Sequence, residues 1–458
     1  MTRMRRRLTA VFLAAGLSAC AAGPDYAAPQ PDAPETYSRM LEGAAEAPAG
    51  PPWWAGFEAE ALDALIARAL DENLDIAQAA RRLAAAEALA GAAQADFFPT
   101  LDGGADATLR SGAPDQASAG LSLGQIVDIN GRLRRAREQA RAEVLASRYS
   151  LADVRRLTAA SVASLYVEAR RAEARLALLD ASLELQQRTL DIVELRADAG
   201  LSADLDVRRA AADLARTRAQ RGALTLQLAR ARNALSVLVA ETPGRPIAGL
   251  DLQPEAGAAA DAFALSYRGA LPVGEPADLL RRRPDLRAAE ARLRAASAAA
   301  GVREAALYPS LRLPGAITAD LSDGVGDDLA ASLGAVLDVP LFDFGRRRAE
   351  LTAAEARAAE AALAYEQAVL RALEEVETGL VAIESVNARL EDLEIAVDQS
   401  ERAYDQLNAL YREGLASFID VLDAQRQLIA SRESLVDSRA DLADAVIDLN
   451  LAIAAPAG

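Results

Sequence analysis

The spacing of apolar and polar positions along the chain predicts two very long helices. Residues 132–198 contain neither glycine nor proline, and residues 346–413 contain no proline and a single glycine, Gly379. At 1.5 Å per residue, a helix over either segment would be about 100 Å long. Such a helix needs other helices packed along its side, as in a coiled coil or a helical barrel.

Each long helix is expected to end at a glycine and to be followed by a second helix. Glycine is the residue most often found just after the end of a helix, and Gly200 and Gly414 stand at the two breaks. We expect the return helices over about 204–240 and 418–454. Each half of the chain therefore predicts a long helical hairpin.

Strict alternation of apolar and polar positions predicts short β-strands between the helices. The period of two runs through 121–129, 311–321 and 329–341. Gly, Asp and Ser cluster at 111–118 and 322–328, which suits hairpin loops. In the clearest strand, 329–341, one face would carry Leu329, Ala331, Leu333, Ala335, Leu337, Val339 and Leu341.

The chain is a tandem duplication. Residues 73–101 align without gaps with 283–311 at an offset of 210, and a second match further along has an offset of 214. In each half a helix, over about 59–97 and 277–307, stops at an aromatic residue followed by proline, which ends helices. Both halves therefore repeat the order helix, two strands, long helical hairpin.

The divisions of the chain follow from this repeat. We expect a mainly α fold with a small membrane β part. The expected segments are a signal peptide at 1–19, a lipid-anchored tether at 20–52, a first repeat at 53–240 with strands at about 100–130, a linker at 241–276, and a second repeat at 277–455 with strands at about 310–341.

The first twenty residues have the features of a secretory signal. Arginines at the start precede an apolar run at 8–17, which is shorter than the roughly 20 residues of a membrane-spanning helix. Leu17-Ser18-Ala19-Cys20 resembles a bacterial lipobox, in which Cys20 would become the acylated first residue of the mature protein. The alternative is an ordinary cleaved signal with an incidental cysteine. Removal of the arginines of 1–19 would change the net charge from −17 to about −21.

The composition excludes several classes of function. His is absent, the 50 basic residues are all Arg, and there is one Cys. This leaves no His-based catalysis, no lysine Schiff base and no internal disulfide. A pI near 4.7 argues against nucleic-acid binding. We therefore predict no enzyme activity, no metal site, no nucleic-acid partner and no cofactor beyond a covalent lipid on Cys20.

The strands are long enough to cross a bilayer when tilted, since about 9–11 residues suffice. Four strands with one apolar face cannot close into a barrel, and open sheet edges are not tolerated in lipid. Three chains would supply twelve strands, and the long helices would continue as a cylinder below the membrane. The alternative is a periplasmic coiled-coil rod whose hairpins are surface features.

The chain resembles the TolC-like outer membrane efflux family, in its lipoprotein branch represented by OprM and NodT. The resemblance covers essentially the whole chain. It lies in the order and spacing of Leu17–Cys20, Gly23–Tyr26, Trp53-Trp54, Leu271–Gly274, Asp278–Asp285, Ala289-Glu290 and the two Gly-Leu…Asp-Val segments. One departure is Asn130, because the family usually has an aromatic residue or Leu before the glycine that follows.

The resemblance implies a homotrimer with a twelve-stranded β-barrel, a helical barrel and an equatorial collar. It implies a passive exit duct, lipid-anchored in the outer membrane and extending into the periplasm. Its partners would be a periplasmic adaptor protein and an inner membrane pump, usually of the resistance-nodulation-division type. The alternatives are the duct of a type I protein secretion system and a structural periplasmic coiled-coil protein.

The resemblance also implies a gate at the periplasmic tip. Two aspartates of the second hairpin, Asp420 and Asp423, match residues that line the family's constriction. Three positions apart, they share one helix face, and rings of three carboxylates each would favour cations. The alternative is a solvated acidic helix face.

Further gate residues are implied nearby. Tyr411 matches a family position that holds the tip closed by bonding to the neighbouring helix pair. Ala416 stands where the family often has Arg, so Leu415 or Phe418 would close the pore by apolar contact instead.

The two Gly-Leu turns, Gly200-Leu201 and Gly414-Leu415, are expected to dock the adaptor. The alternative role of both glycines is helix capping.

Overall fold

The computed structural model describes most of the chain, namely residues 23, 26–29, 34–39, 51–109, 111, 116–247, 263, 265–321 and 328–455. The predicted signal peptide, the predicted lipidation site Cys20 and most of the predicted tether lie outside these residues. No helix within the described ranges is both long enough and apolar enough to cross a membrane.

Helices dominate the structure, and the strands of the described residues form an antiparallel sheet. After a short 3₁₀ helix at Trp53–Phe57, the elements in chain order are α1 (Glu60–Glu72), α2 (Leu74–Ala95), β1 (Thr100–Thr108), β2 (Gln116–Val127), α3 (Arg132–Asp198), α4 (Asp204–Leu238), α5 (Pro276–Arg282), α6 (Pro284–Ala305), β3 (Ser310–Asp320), β4 (Asp328–Leu333), β5 (Val336–Asp338), α7 (Arg346–Arg412) and α8 (Phe418–Ala452).

The two halves of the chain repeat the same helices at the same lengths. Helices α3 and α7 each have 67 residues, and α4 and α8 each have 35. Helices α2 and α6 each have 22. The mainly α fold with two long helical hairpins, predicted from the sequence, is confirmed.

The helix predicted over 59–97 is divided into α1 and α2 at Asn73. The buried Asn73 side chain donates through Nδ2 to the Leu238 carbonyl at 2.9 Å. Its Oδ1 accepts from the backbone N–H groups of Asp75 and Ile76 at 2.9 and 3.1 Å. Asn73 therefore caps α2, as asparagine often does at helix starts. The prediction of one continuous helix was wrong because helix-forming residues flank a break of one residue.

The copy of this helix in the second half, predicted over 277–307, is divided at Arg283. Pro284 follows, and proline disfavours the helical conformation in the residue before it. Arg283 is extended, with φ −69° and ψ 117°. Its buried guanidinium contacts Glu375 Oε2 at 2.6 Å and the Ala452 carbonyl at 3.0 Å. The prediction of a continuous helix was wrong here too. The residue at the break, Arg283, bonds to α7 and α8.

The sheet has the strand order β1–β2–β3–β4, and β5 also pairs with β3. All pairs are antiparallel, with Gly103 opposite Leu121, Leu121 opposite Ile317, and Ile317 opposite Ala331. The central strands, β2 and β3, come from different halves of the duplication. The two repeats therefore join through their strands into a sheet whose outer edges are β1 and β4.

The strand predicted over 329–341 is interrupted and forms β4 and β5. Opposite the interruption lies Pro314, whose carbonyl accepts from the Gly334 N–H at 2.9 Å. Proline has no N–H with which to return a ladder hydrogen bond. A proline inside β3 therefore divides its partner strand, and the prediction of one continuous strand was wrong.

The chain divides into two compact units, each built from segments of both halves. The first unit contains the sheet and lies within Met1–Asp32, Ala79–Leu151 and Pro284–Val369. The second unit contains both return helices and both helical turns, and lies within Ala33–Gln78, Ala152–Arg283 and Leu370–Gly458.

In the first unit, Asn130 ties the sheet to the helices on either side of it. Its Nδ2 donates to the Ala305 carbonyl at 2.8 Å, and its Oδ1 accepts from the Arg132 N–H at 3.2 Å. In the second half the matching residue is Phe344, with φ 57°, a conformation that costs a residue other than glycine roughly 1 kcal/mol. The departure from the family pattern at Asn130 thus supplies hydrogen bonds at the end of α6 and the start of α3.

In the second unit, residues 34–39 of the predicted tether pack against α7. Tyr37 is buried, and burial raises the pKa of its phenol to about 12. The Ser38 N–H donates to Glu377 Oε1 at 2.7 Å, and Arg39 pairs with Glu384. This part of the tether is therefore attached to a long helix at two successive residues, Ser38 and Arg39.

Candidate gate and docking turns

Two turns connect the long helices of the second unit, and they have the same backbone geometry. Gly200 and Gly414 have φ values of 71° and 78°, a left-handed conformation that glycine adopts at low cost. The Leu201 N–H donates to the Arg196 carbonyl, and the Leu415 N–H to the Leu410 carbonyl, both at 2.8 Å. This is the Schellman pattern, which satisfies carbonyls left free at a helix end. The glycines cap the helices, as the alternative reading of these turns expected.

The leucine of each turn points into solvent. Leu201 is 67% exposed and Leu415 is 71% exposed. A leucine this exposed in each of two matching turns gives the second unit two small apolar projections. Such projections are available to a binding partner, although isolated exposed leucines also occur on ordinary surfaces.

The two turns are held together by side chains from both hairpins. Tyr411 Oη and Ser202 Oγ are 3.1 Å apart and share a hydrogen bond. The Arg196 guanidinium carbon lies 4.8 Å from the centre of the Tyr411 ring, a cation–π contact. Arg196 Nη1 also donates to the Arg412 carbonyl at 3.3 Å. Sequence reasoning identified Tyr411 but missed Ser202 and Arg196, because neither stands at a position that the repeat marks.

Tyr411 and Phe418 are buried in the core of the second unit. Their rings are 5.8 Å apart and tilted. The core around them includes Val193, Leu214 and Leu422. The Phe418 side chain therefore packs in the core of its own chain, whereas Leu415 is the exposed apolar side chain of the turn.

Asp420 is exposed and takes part in a helix cap. Its Oδ2 accepts from the Ser417 N–H at 3.2 Å, and its own N–H donates to Ser417 Oγ at 3.4 Å. These bonds form a reciprocal capping box at the start of α8. In the first half the residue that matches Ser417 is Ala203, and no side chain caps α4. Ser417 is a third residue of this region, after Ser202 and Arg196, that sequence reasoning missed.

Asp423 is exposed one turn further along α8. It pairs with Arg426 at 3.5 Å, and 65% of its side chain is accessible. Arg426 also contacts the buried Asp213 at 2.8 Å, so its charge is shared. Asp420 and Asp423 thus present two carboxylates on the exposed face of α8 next to the second turn.

Farther from the turns, one buried and one half-buried carboxylate lie at contacts between the long helices. Glu173 on α3 lies between Arg170 and Arg232, each at 3.1 Å, yet burial raises the pKa of its carboxyl. Asp444 on α8 pairs with Arg171 at 2.9 Å, and burial raises its pKa to about 6. These ion pairs join α3 to α4 on one side and to α8 on the other.

The outer membrane efflux protein family matches the chain in two stretches. The matched residues are 65–241 and 276–455. Two successive matches are what a duplicated chain should give, and together they cover more than half of its length.

Relatives match along most of their own length. Nodulation protein T of Rhizobium leguminosarum bv. viciae is 33% identical over 389 residues, which cover 82% of this chain and 78% of the relative. The solvent efflux pump outer membrane protein SrpC of Pseudomonas putida is 33% identical over 405 residues, which cover 83% of each protein.

A solved structure has the same fold over nearly the whole chain. The outer-membrane channel OprN matches with a TM-score of 0.85 at 30% identity, covering 95% of this chain and 99% of that one. The repeated hairpins, the small antiparallel sheet and these matches lead to one conclusion: the chain belongs to the outer membrane efflux protein family.

Proposed function

We propose that this chain is the passive outer membrane exit duct of a tripartite efflux system. The observation that carries the proposal is the extent of the match, since OprN, an outer-membrane channel, covers 95% of this chain. The chain offers no histidine and no lysine for catalysis. A conduit needs a gate, a selectivity element and docking surfaces rather than a catalytic group.

The sheet supports assembly of three copies in lipid. Among the described residues, the edge strands β1 and β4 each have one neighbouring strand. Exposed open edges are not tolerated in lipid, and three copies would join these edges into a twelve-stranded barrel. The side chains that would meet lipid are the exposed apolar residues of the sheet, such as Leu101, Leu121, Ile317, Leu329, Leu333 and Leu337.

Asp420 and Asp423 are the proposed selectivity element. Both are exposed on α8 beside the second turn, and a homotrimer would repeat each carboxylate three times around one axis. Rings of carboxylates attract cations and disfavour anions. Tyr411 is the proposed latch between the two turns, and Leu415 the proposed apolar contact at the tip.

The proposed partners are a periplasmic adaptor and an inner membrane pump of the resistance-nodulation-division type. The exposed turns Gly200-Leu201 and Gly414-Leu415 are the proposed docking points for the adaptor. Named relatives handle different cargo: SrpC belongs to a solvent efflux pump, OpmQ of Pseudomonas aeruginosa to pyoverdine export, and CusC to a cation efflux system. This variety supports a pump that selects the cargo and a duct that does not.

Cys20 is the proposed site of acylation, which would anchor the mature chain to the outer membrane. Mass measurement of the mature amino-terminal peptide tests this directly. Added acyl mass on Cys20 supports the anchor, and an unmodified cysteine contradicts it.

Purified protein in planar bilayers tests the proposed duct. We expect stepwise conductance and an oligomer of three chains that separates on heating. In cells, deletion of the gene should raise the accumulation of a pump substrate as much as deletion of the pump does. A protein that stays monomeric and gives no conductance would contradict the proposal, and loss of a secreted polypeptide instead would identify a secretion duct.

A further inference from the structure

The second unit contains a cavity between the linker and the second helical hairpin. One wall of this linker cavity is formed by linker residues 263 and 265–271, and the opposite wall by residues of α7 and α8. Its volume is about 620 Å³. Sites that bind small molecules have volumes of roughly 300–1,000 Å³, so the linker cavity is large enough to hold such a ligand.

The linker wall is held in place by the 3₁₀ helix. The Arg268 N–H donates to the Gly56 carbonyl at 2.8 Å. The Tyr267 ring packs edge to face on Phe57, with 5.1 Å between the ring centres, and its Oη donates to the Ala270 carbonyl at 3.1 Å. A Cβ atom on Gly56 would lie 2.5 Å from the Tyr267 ring, so glycine alone allows this close approach. The wall therefore keeps its shape without a ligand, which lowers the cost of binding one.

The floor of the linker cavity is apolar and buried. Phe263 of the linker and Ile383 of α7 are 3% and 5% exposed. Ala443 and Val446, which are three positions apart on α8, are each 4% exposed. None of these four side chains has a polar atom, and removing hydrocarbon from water onto such a surface is favourable. The floor therefore suits an aliphatic or aromatic hydrocarbon group.

The rim of the linker cavity is polar. Ser266 of the linker and Asn387 of α7 both line the cavity and are exposed. Arg439 of α8 also lines it and is partly exposed. A hydroxyl and an amide can each donate and accept hydrogen bonds. An apolar floor below a polar rim matches an amphiphile, with its hydrocarbon part inside and its polar part at the opening.

The charges at the rim favour an uncharged polar part. Arg439 Nη2 donates to Glu394 Oε1 at 3.3 Å, so the guanidinium and this carboxylate already form an ion pair. A cationic ligand would face the guanidinium, and an anionic ligand would be repelled by Glu394 and compete with it for Arg439. A hydroxyl group can bond to Ser266 and Asn387 without disturbing the pair.

We propose that the linker cavity binds a small neutral amphiphile, with its hydrocarbon body on the apolar floor and its hydroxyl group beside Ser266 and Asn387. Such a ligand would contact the linker and both helices of the second hairpin at once. Asn387 precedes Gly414 by 27 residues, which corresponds to about 40 Å along a helix. The site is therefore distinct from the gate and docking turns, and it goes beyond the proposed function because it does not depend on conductance.

Photolabelling of the full chain in outer membrane fragments tests the site. The probe is azioctanol, a neutral alcohol that inserts into neighbouring side chains on illumination. Peptide mass spectrometry should find the label on linker residues 265–271, Ile383 or Val446, and excess octanol should remove it. Label that octanol does not displace, or label confined to other parts of the chain, overturns the inference.

Competing ligands test the preference for an uncharged head group. Octanoate and octylammonium have the same hydrocarbon chain as octanol but carry opposite charges. Each should displace the probe at least about tenfold more weakly than octanol, because each brings a charge to the rim beside the Arg439–Glu394 pair. Displacement by either ion as strong as that by octanol would overturn the assignment of a neutral ligand.

Two variants test the floor and the rim separately. Ala443→Phe fills the floor and should abolish displaceable labelling, whereas the matched control Ala430→Phe, at an exposed position of the same helix, should label like the unmodified protein. Asn387→Leu changes an exposed rim residue, so the fold should be retained. It should raise the octanol concentration needed for half-displacement by roughly fivefold, through loss of a hydrogen bond. Full labelling in Ala443→Phe, or unchanged displacement in Asn387→Leu, would overturn the proposal.

Discussion

At the scale of single residues, the two turns share a backbone but differ in side chains. Ser417 and Asp420 cap α8, whereas Ala203 leaves α4 uncapped. Arg209 stands in the first half where Asp423 stands in the second. The two copies therefore share the geometry of the turn, and the pair of carboxylates at these two matched positions is present in the second copy alone.

Asp423→Asn should weaken block of the channel by multivalent cations. The substitution removes one carboxylate from each chain of the proposed ring while keeping the size of the side chain. Single-channel conductance with and without a trivalent cation measures the effect. The matched control is Glu184→Gln, an exposed carboxylate of α3 away from the turns, which should leave block unchanged. Equal block in Asp423→Asn and the unmodified protein would reject the ring.

Tyr411→Phe should raise the fraction of time that the channel is open. The change keeps the buried ring and the Arg196 contact but removes the hydroxyl that bonds to Ser202. Ser202→Ala removes the same bond from the other side, so the double variant should open no more than either single one. Additive effects would mean that the two side chains act independently. Bilayer recordings at fixed voltage give the open fraction.

At the scale of elements, the start of α8 depends on its cap. Ser417→Ala should destabilise this helix end by about 1 kcal/mol, because it removes the hydroxyl that accepts from the Asp420 N–H. Faster amide hydrogen exchange over the first turn of α8 would report the loss. Ser434→Ala, in the middle of the same helix, should leave exchange in that turn unchanged. Unchanged exchange in Ser417→Ala would show that the cap adds no stability.

Long elements could be predicted from the sequence, and Pro284 could have indicated the break at Arg283, but the other two short interruptions have no such local signal. The 67-residue helices follow from stretches that lack proline and from glycines at their ends. The break at Asn73 depends on the Leu238 carbonyl, which accepts from the Asn73 side chain. The break between β4 and β5 depends on Pro314 in the neighbouring strand, whose carbonyl accepts from the Gly334 N–H. Periodicity averages over many residues and does not detect a single residue that bonds outside its own element.

At the scale of the whole molecule, stability should depend on pH through Asp444. Burial raises its pKa from 3.8 to about 6, against the opposing effect of Arg171. Because the pKa in the folded state exceeds the unfolded value, the protonated carboxyl favours folding. This contribution is present below about pH 4 and is lost as the pH rises to about 6.

The stability of Asp444→Asn relative to the unmodified protein should therefore increase as the pH rises through that window. Above the window the variant should stay the more stable of the two. Thermal unfolding midpoints at a series of pH values between about 4 and 7 measure the difference. Glu184→Gln is again the control, and its unfolding midpoint should change with pH in the same way as that of the unmodified protein. A constant difference between Asp444→Asn and the unmodified protein at all pH values would contradict the assignment.

The sequence by itself determined the long helices, the duplication and the alternating strands, because each is a pattern of local spacing that side-chain size and backbone preference dictate. It also identified Asp420, Asp423 and Tyr411 by resemblance. Only the tertiary structure decided that Tyr411 bonds to Ser202 and that Phe418 is buried. These depend on residues that lie far apart in the chain, 209 positions in the case of Ser202 and Tyr411. A contact across such a separation leaves no periodic trace in the sequence, and it becomes visible only when packing brings the two helices together.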